Sequence, residues 1–138
     1  MDRLFLFVYS QENPAFEKVL QRVLSPFGLV EMVSWAKIDS IQPDRYALVF
    51  LDAGIVSDQD ESDSLPQFVS TVCQRWPKAK FIILTASPTW RRTKEVLQAG
   101  AVDYIRQTLD EAHLLRELDW SLRYFVIGEK GEEAIKHG

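Results

Sequence analysis

Tyr46-Ala-Leu-Val-Phe-Leu-Asp52-Ala-Gly54 is the stretch that decides the fold. From Tyr46 to Leu51 the run is apolar without alternation, the mark of a strand covered on both faces, and it stops at an aspartate followed by small residues. In an open parallel sheet, ligands and chemistry collect beyond the carboxyl ends of the strands, so Asp52 stands where a reacting carboxylate would be placed. An isolated strand-end aspartate more often caps a turn or a helix. The rest of the chain has to decide between these.

Working outward, Leu4–Tyr9, Leu29–Val33, Phe81–Leu84 and Ala101–Ile105 read as further strands. Helical patterns separate them. Asn13-Pro14 suits a cap with proline in the first turn, and Phe16, Val19, Leu20, Val23, Leu24 and Phe27 follow at helical spacing. Trp35–Ile41 reads as a short helix, and Leu65–Trp76 as a longer one stopped by Pro77. Ser87-Pro88 is expected to open a fourth helix ending at Ala99-Gly100. Thr108-Leu-Asp-Glu111 has the spacing of a capping box before a fifth helix marked by Ala112, Leu115, Leu118, Leu122 and Phe125. Strands alternating with helices imply right-handed crossovers and an α/β fold, a doubly wound five-stranded parallel sheet in a three-layer sandwich. Ser57–Asp63 is polar and aperiodic and reads as a mobile loop; it lacks the glycine and closing glutamate of a calcium loop.

The chain has 138 residues, which suits one domain over residues 1–127 with a polar tail or linker over 128–138. A net charge of −4 gives no footprint for nucleic acid or an anionic membrane. The lone Cys73 excludes an internal disulfide framework, fits a reducing, cytoplasmic setting, and lies on a helical core stripe. No run is long enough to span a membrane, and the apolar run after Met1-Asp-Arg is too short for a signal peptide. His113 and His137 have no second ligand at metal-binding spacing, and Trp35, Trp76 and Trp120 most simply cover the sheet.

The strand ends bring polar groups to one rim: Gln11 and Glu12, then Asp52, then Thr85, with Arg106, Gln107 and Thr108 after the last strand. Two carboxylates and a backbone carbonyl from the loop after Asp52 could hold Mg2+, which prefers oxygen ligands and keeps several waters. Asp52 would then be a carboxylate nucleophile for a phosphoryl group, with Thr85 hydrogen-bonding that group on arrival.

The sequence resembles the receiver domain of two-component response regulators over about residues 3 to 125. The resemblance rests on Leu48-Val-Phe-Leu-Asp52, Phe81-Ile-Ile-Leu-Thr85-Ala86 and above all Ala99-Gly-Ala-Val-Asp-Tyr-Ile105. It implies a flavodoxin-like receiver fold and a non-enzymatic signalling role. Asp52 would accept a phosphoryl group from a histidine kinase or phosphotransfer protein, and Thr85 would contact it. Tyr104 would switch rotamer. Mg2+ would be held by Glu12, Asp52 and the Gly54 carbonyl. Partners or a second copy would dock on the fourth helix, fifth strand and fifth helix, where Trp90, Arg91, Arg92 and Lys94 are interface candidates.

Departures from the family pattern are equally plain. Receivers carry two adjacent acids after the first strand. Anchoring on Asn13-Pro14 puts Gln11 and Glu12 there, whereas anchoring on strand length puts Tyr9 and Ser10 there; the well-defined helix start favours the first. The family's lysine falls at Gln107, and Arg106 faces the other way along the strand. Losing a fixed cation and an acid, each contact worth roughly 1.5–3 kcal/mol, points to an atypical receiver or pseudo-receiver. Three readings follow: a phospho-accepting receiver, a phosphorylation-independent interaction module using the same surface, and a small flavodoxin-like enzyme or nucleotide binder. The last lacks a glycine-rich phosphate loop. With no room for a DNA-binding helix-turn-helix after Phe125, the expectation is a domain that works by contact or a fragment leading into another domain.

Overall fold

The apolar runs all form strands: β1 (Arg3–Tyr9), β2 (Gly28–Ser34), β3 (Leu48–Asp52), β4 (Phe81–Thr85) and β5 (Asp103–Arg106). The structure, a computed structural model, describes residues 3–57 and 64–127. The strands join in one parallel sheet in the order β2-β1-β3-β4-β5. The order reverses between β1 and β3, and that switch point opens a crevice at the carboxyl edge. Asp52 ends β3 at the crevice, opposite Leu84 of β4.

Period-two alternation explains why the strands read as unbroken apolar runs. Phe5, Phe7, Leu48, Phe50, Ile82 and Leu84 face one helical layer, built from α1 (Pro14–Leu24) and α5 (Glu111–Ser121). Leu6, Val8, Val49, Leu51, Ile83 and Tyr104 face the other, built from α3 (Ser64–Arg75) and α4 (Trp90–Gln98). Both faces are covered, so both parities are apolar. Each fully buried Phe or Leu contributes ~1.5–3 kcal/mol before the entropy of ordering is charged against it. Such a core holds the rim in place while the rim itself stays polar.

Several local expectations need correction. The short helix expected over Trp35–Ile41 is of the 3₁₀ kind, Trp35–Ser40, and a 3₁₀ turn, Pro43–Arg45, follows it, with Ile38 the buried residue of the first and Pro43 of the second. After Asp52 the chain makes a helical turn, α2 (Gly54–Ser57), where the sequence pattern breaks; residues 58–63 of the expected loop lie outside the described residues, as does the tail 128–138. Thr89, not Ser87, caps α4, its Oγ1 accepting from Arg92 N–H at 3.1 Å. Asp110, not Thr108, caps α5, its Oδ1 accepting from His113 N–H at 3.0 Å. On α5 the buried stripe is Leu114, Leu118 and Ser121, followed by Leu122 and Val126 of a π-helical turn (Leu122–Ile127), while Ala112 and Leu115 are exposed. The Asn13 cap forms as expected, with Glu17 Oε2 accepting in return from Asn13 N–H. Gly100 takes φ 122°, a conformation that favours glycine, and lets the chain turn from α4 towards β5.

Candidate functional site

Asp52 is half-buried, and both of its carboxylate oxygens have partners. Oδ1 accepts from Gly54 N–H at 2.9 Å, and Oδ2 accepts from the Ser10 hydroxyl at 3.1 Å. A side chain at position 54 would crowd this arrangement. A Cβ there would lie 3.1 Å from Ser10 Oγ and 3.2 Å from Asp52 Oδ1, so both side chains would have to shift to admit one.

Two cavities meet at Asp52. One, of about 330 Å³, holds Asp52 and Gly54 together with Thr85, Arg92, Tyr104 and Gln107. The other, of about 370 Å³, has Asp52 and Gln107 facing Ser10, Gln11 and Glu12. The fold therefore brings together Asp52, Thr85, Tyr104, Glu12, Gly54, Gln11 and Gln107. Thr85 is half-buried at the end of β4, and its Oγ1 accepts from Ser87 N–H at 3.3 Å. Gln107 is tied to the same strand, its N–H donating to the Thr85 carbonyl at 2.7 Å. Tyr104 is buried, at 7% exposure, and forms part of the wall rather than the solvent face.

Elsewhere the placements differ from one another. Trp90 is 82% exposed at the start of α4, and Arg91 and Lys94 are exposed with it. Arg92 is not: its side chain is 21% exposed and lines the cavity with Asp52. Arg106 is exposed at the end of β5. Cys73 packs on the α3 side of the core, and burial pushes its thiol up, which suits packing rather than thiolate chemistry. Asp103 sits at the start of β5, where burial raises its carboxyl and the Tyr104 N–H, 2.8 Å from Oδ1, opposes the rise.

Two residues take places that the sequence reading did not favour: Ser10, from the less favoured alignment, and Arg92, expected on the interface face. Ser10 touches Asp52, and a strand-length alignment was the signal that pointed to it. Arg92 shares a helix face with the buried Val96 four residues on, a spacing that could have turned it inward. For a divalent cation, the second cavity offers Asp52 and Glu12 as charged oxygen donors. Among the described residues no group of three or more His, Cys, Asp or Glu clusters to hold a metal. One or two carboxylates suit Mg2+, which keeps most of its waters, so the donor set fits a hydrated, loosely held ion.

No protein-family model matches the chain. Solved structures do match it. The BeF3-activated receiver domain of DrrB superposes with a TM-score of 0.62 at 19% identity, over 88% of this chain and 98% of that one. The chain has the receiver fold. A signal receiver domain of an HD domain-containing protein from Pseudomonas fluorescens Pf-5 gives a TM-score of 0.59 at 21% identity, covering 90% of this chain and 97% of that chain. A response regulator from Burkholderia pseudomallei, solved with a phosphorylated aspartic acid, calcium ion and citrate, gives 0.60 at 16% identity, over 99% of this chain and 72% of that one. No helix among the described residues is long and apolar enough to cross a membrane.

Proposed function

We propose that residues 1–127 form a cytoplasmic receiver-type signalling module in which Asp52 accepts a phosphoryl group. The observation that carries this reading is the Asp52 carboxylate on the rim of the sheet, steadied by Gly54 N–H and Ser10 and sharing a cavity with Thr85. One carboxylate oxygen attacks phosphorus as the P–N bond to a donor phosphohistidine breaks. The imidazole leaves with the bonding electron pair and takes a proton from water, and the donor is a histidine kinase or phosphotransfer protein. Thr85 turns its hydroxyl to the transferred group's oxygens. Mg2+, when bound by Asp52 and Glu12 with the Gly54 carbonyl close by in the chain, supplies positive charge against the phosphoryl oxygens. The output is a biased equilibrium of α4, β5 and α5, with Tyr104 as the internal link and Trp90 on the outer face.

A second reading is favoured by the neutral Ser10 and Gln107, which stand where charged groups would strengthen phosphoryl and metal binding. In it the same face docks a protein partner or a second copy without phosphorylation. Intact mass after incubation with phosphoramidate and Mg2+, beside Asp52→Asn, separates the two. The first reading expects a phosphoryl adduct on the wild type alone. No adduct, with no Mg2+-dependent change in tryptophan fluorescence, leaves the second.

A further inference from the structure

Among the described residues Arg92 is the one cationic side chain lining the 330 Å³ cavity at Asp52, and it enters from α4, not from the strand end. Three observations define its setting. Its side chain is largely covered, at 21% exposure, whereas its neighbours Arg91 and Lys94 are exposed. Among the described residues its carboxylate neighbour is Glu95, one helical turn away at 4.0 Å, a long contact that engages few of the guanidinium's five donors. The residue after β5, Gln107, lines the same cavity with a neutral amide. An anion placed on Asp52 would therefore meet Thr85 on one strand end, Gln107 on the next, and a permanent positive charge on α4.

We propose that Arg92 is the phosphoryl-contacting cation of this domain, so that the modified aspartate pulls directly on the first turn of α4. This rests on the phospho-acceptor reading and deepens it. A guanidinium is charged at every working pH and presents paired N–H donors that match two phosphoryl oxygens, which an ammonium on a flexible stem does not. Its position is also mechanical. Thr89 caps the helix by accepting the Arg92 N–H, so a pull on the Arg92 side chain is transmitted to the cap and to the exposed Trp90 two residues earlier. Signal capture and the moving element would be the same helix. Tyr104, in the same cavity wall, would follow that helix rather than lead it.

The test uses BeF3−, a reversible phosphoryl mimic, titrated with Mg2+ into the full chain and read by tryptophan fluorescence. Arg92→Gln should bind at least about tenfold more weakly, the loss expected of one charge-assisted contact. Arg92→Lys should recover part of that loss, and Lys18→Gln, the same charge change on the exposed face of α1, should leave affinity unchanged. Raising ionic strength should weaken the wild type more than Arg92→Gln, a difference that a purely structural role would not produce. If Arg92→Gln does not fold, Arg92→Met, which keeps the packed stem, carries the comparison. Wild-type binding that Arg92→Gln and Arg92→Met both retain within about twofold overturns this inference and leaves the phospho-acceptor reading standing. No wild-type response at all overturns both.

Discussion

At the scale of single residues, the rim is a balance between a retained carboxylate and the neutral groups around it. Asp52 was legible because strand ends are where a parallel sheet exposes chemistry. Ser10 was harder to read. The loop between β1 and the Asn13 cap has no periodicity, so nothing in the sequence chose between the two alignments there. The hydroxyl that reaches Asp52 Oδ2 is neutral, and it holds the carboxylate without adding the charge that would draw in a metal. Asp103 poses the opposite problem, a charge under partial cover. Burial raises its carboxyl above the ordinary 3.8, the Tyr104 N–H works against that, and Glu117 adds to it. A folded-state value above the unfolded one means that the folded protein holds the proton more tightly. Stability is then lost as pH rises from 3.8 through the folded value and stays lower above it. Asp103→Asn keeps an oxygen for the Tyr104 N–H and carries no charge. It should be more stable than the wild type at neutral pH, with the advantage shrinking in acid. Urea midpoints of both proteins between about pH 3 and about pH 7 measure this, and a gap that stays flat across that range would remove burial of the charge as its cause.

At the scale of elements, the caps set where each helix begins and so which side chains point at the site. Thr89 and Asp110 play equivalent parts on α4 and α5, each accepting a backbone N–H three residues on. Thr89→Ala and Asp110→Ala should each cost about 1 kcal/mol of stability, read as a shift in urea midpoint with unchanged slope. Only Thr89→Ala should also weaken the beryllofluoride response, because only α4 carries Arg92 into the cavity. Equal weakening by both would show that the response tracks global stability instead. The same caps show what the sequence hid. The serine and threonine that looked like helix starts, Ser87 and Thr108, sit in local turns just ahead of the true caps: Ser87 N–H donates to Thr85 Oγ1, and Thr108 Oγ1 accepts from Asp110 N–H. Hydroxyl-bearing residues serve both roles, and sequence spacing does not separate them. The inner strands β1, β3 and β4 were plain because burial on both faces leaves their middles wholly apolar, whereas the edge strands β2 and β5 carry Glu31, Asp103 and Arg106. The short helix expected over Trp35–Ile41 forms as a 3₁₀ helix, and one buried residue, Ile38, is too few to tell that type from an α-helix in the sequence.

At the scale of the molecule, the sheet sets β2 at one edge and β5 at the other. β2 and its 3₁₀ crossing lie at the far edge, while the ends of β3 and β4 line the cavity together with α2, α3, Arg92 of α4, Tyr104 of β5 and Gln107. Tyr104 belongs to the core cluster that includes Val96 of α4, so a shift of the helix has to be accommodated within that packing. A ligand moves such an equilibrium only by binding one arrangement better than the other, and the Asp52 cavity is where that difference would arise. Hydrogen exchange can follow where the effect goes. With BeF3− and Mg2+, amides of α4, β5 and the start of α5 should change their protection, while those of β2 should exchange as before. Asp52→Asn should abolish the pattern. Ordinary stabilisation by a ligand would instead slow the globally protected amides of every strand alike. A uniform slowing would therefore make Asp52 a binding site without a switch. A change confined to one edge would mark α4, β5 and α5 as the element that carries the signal.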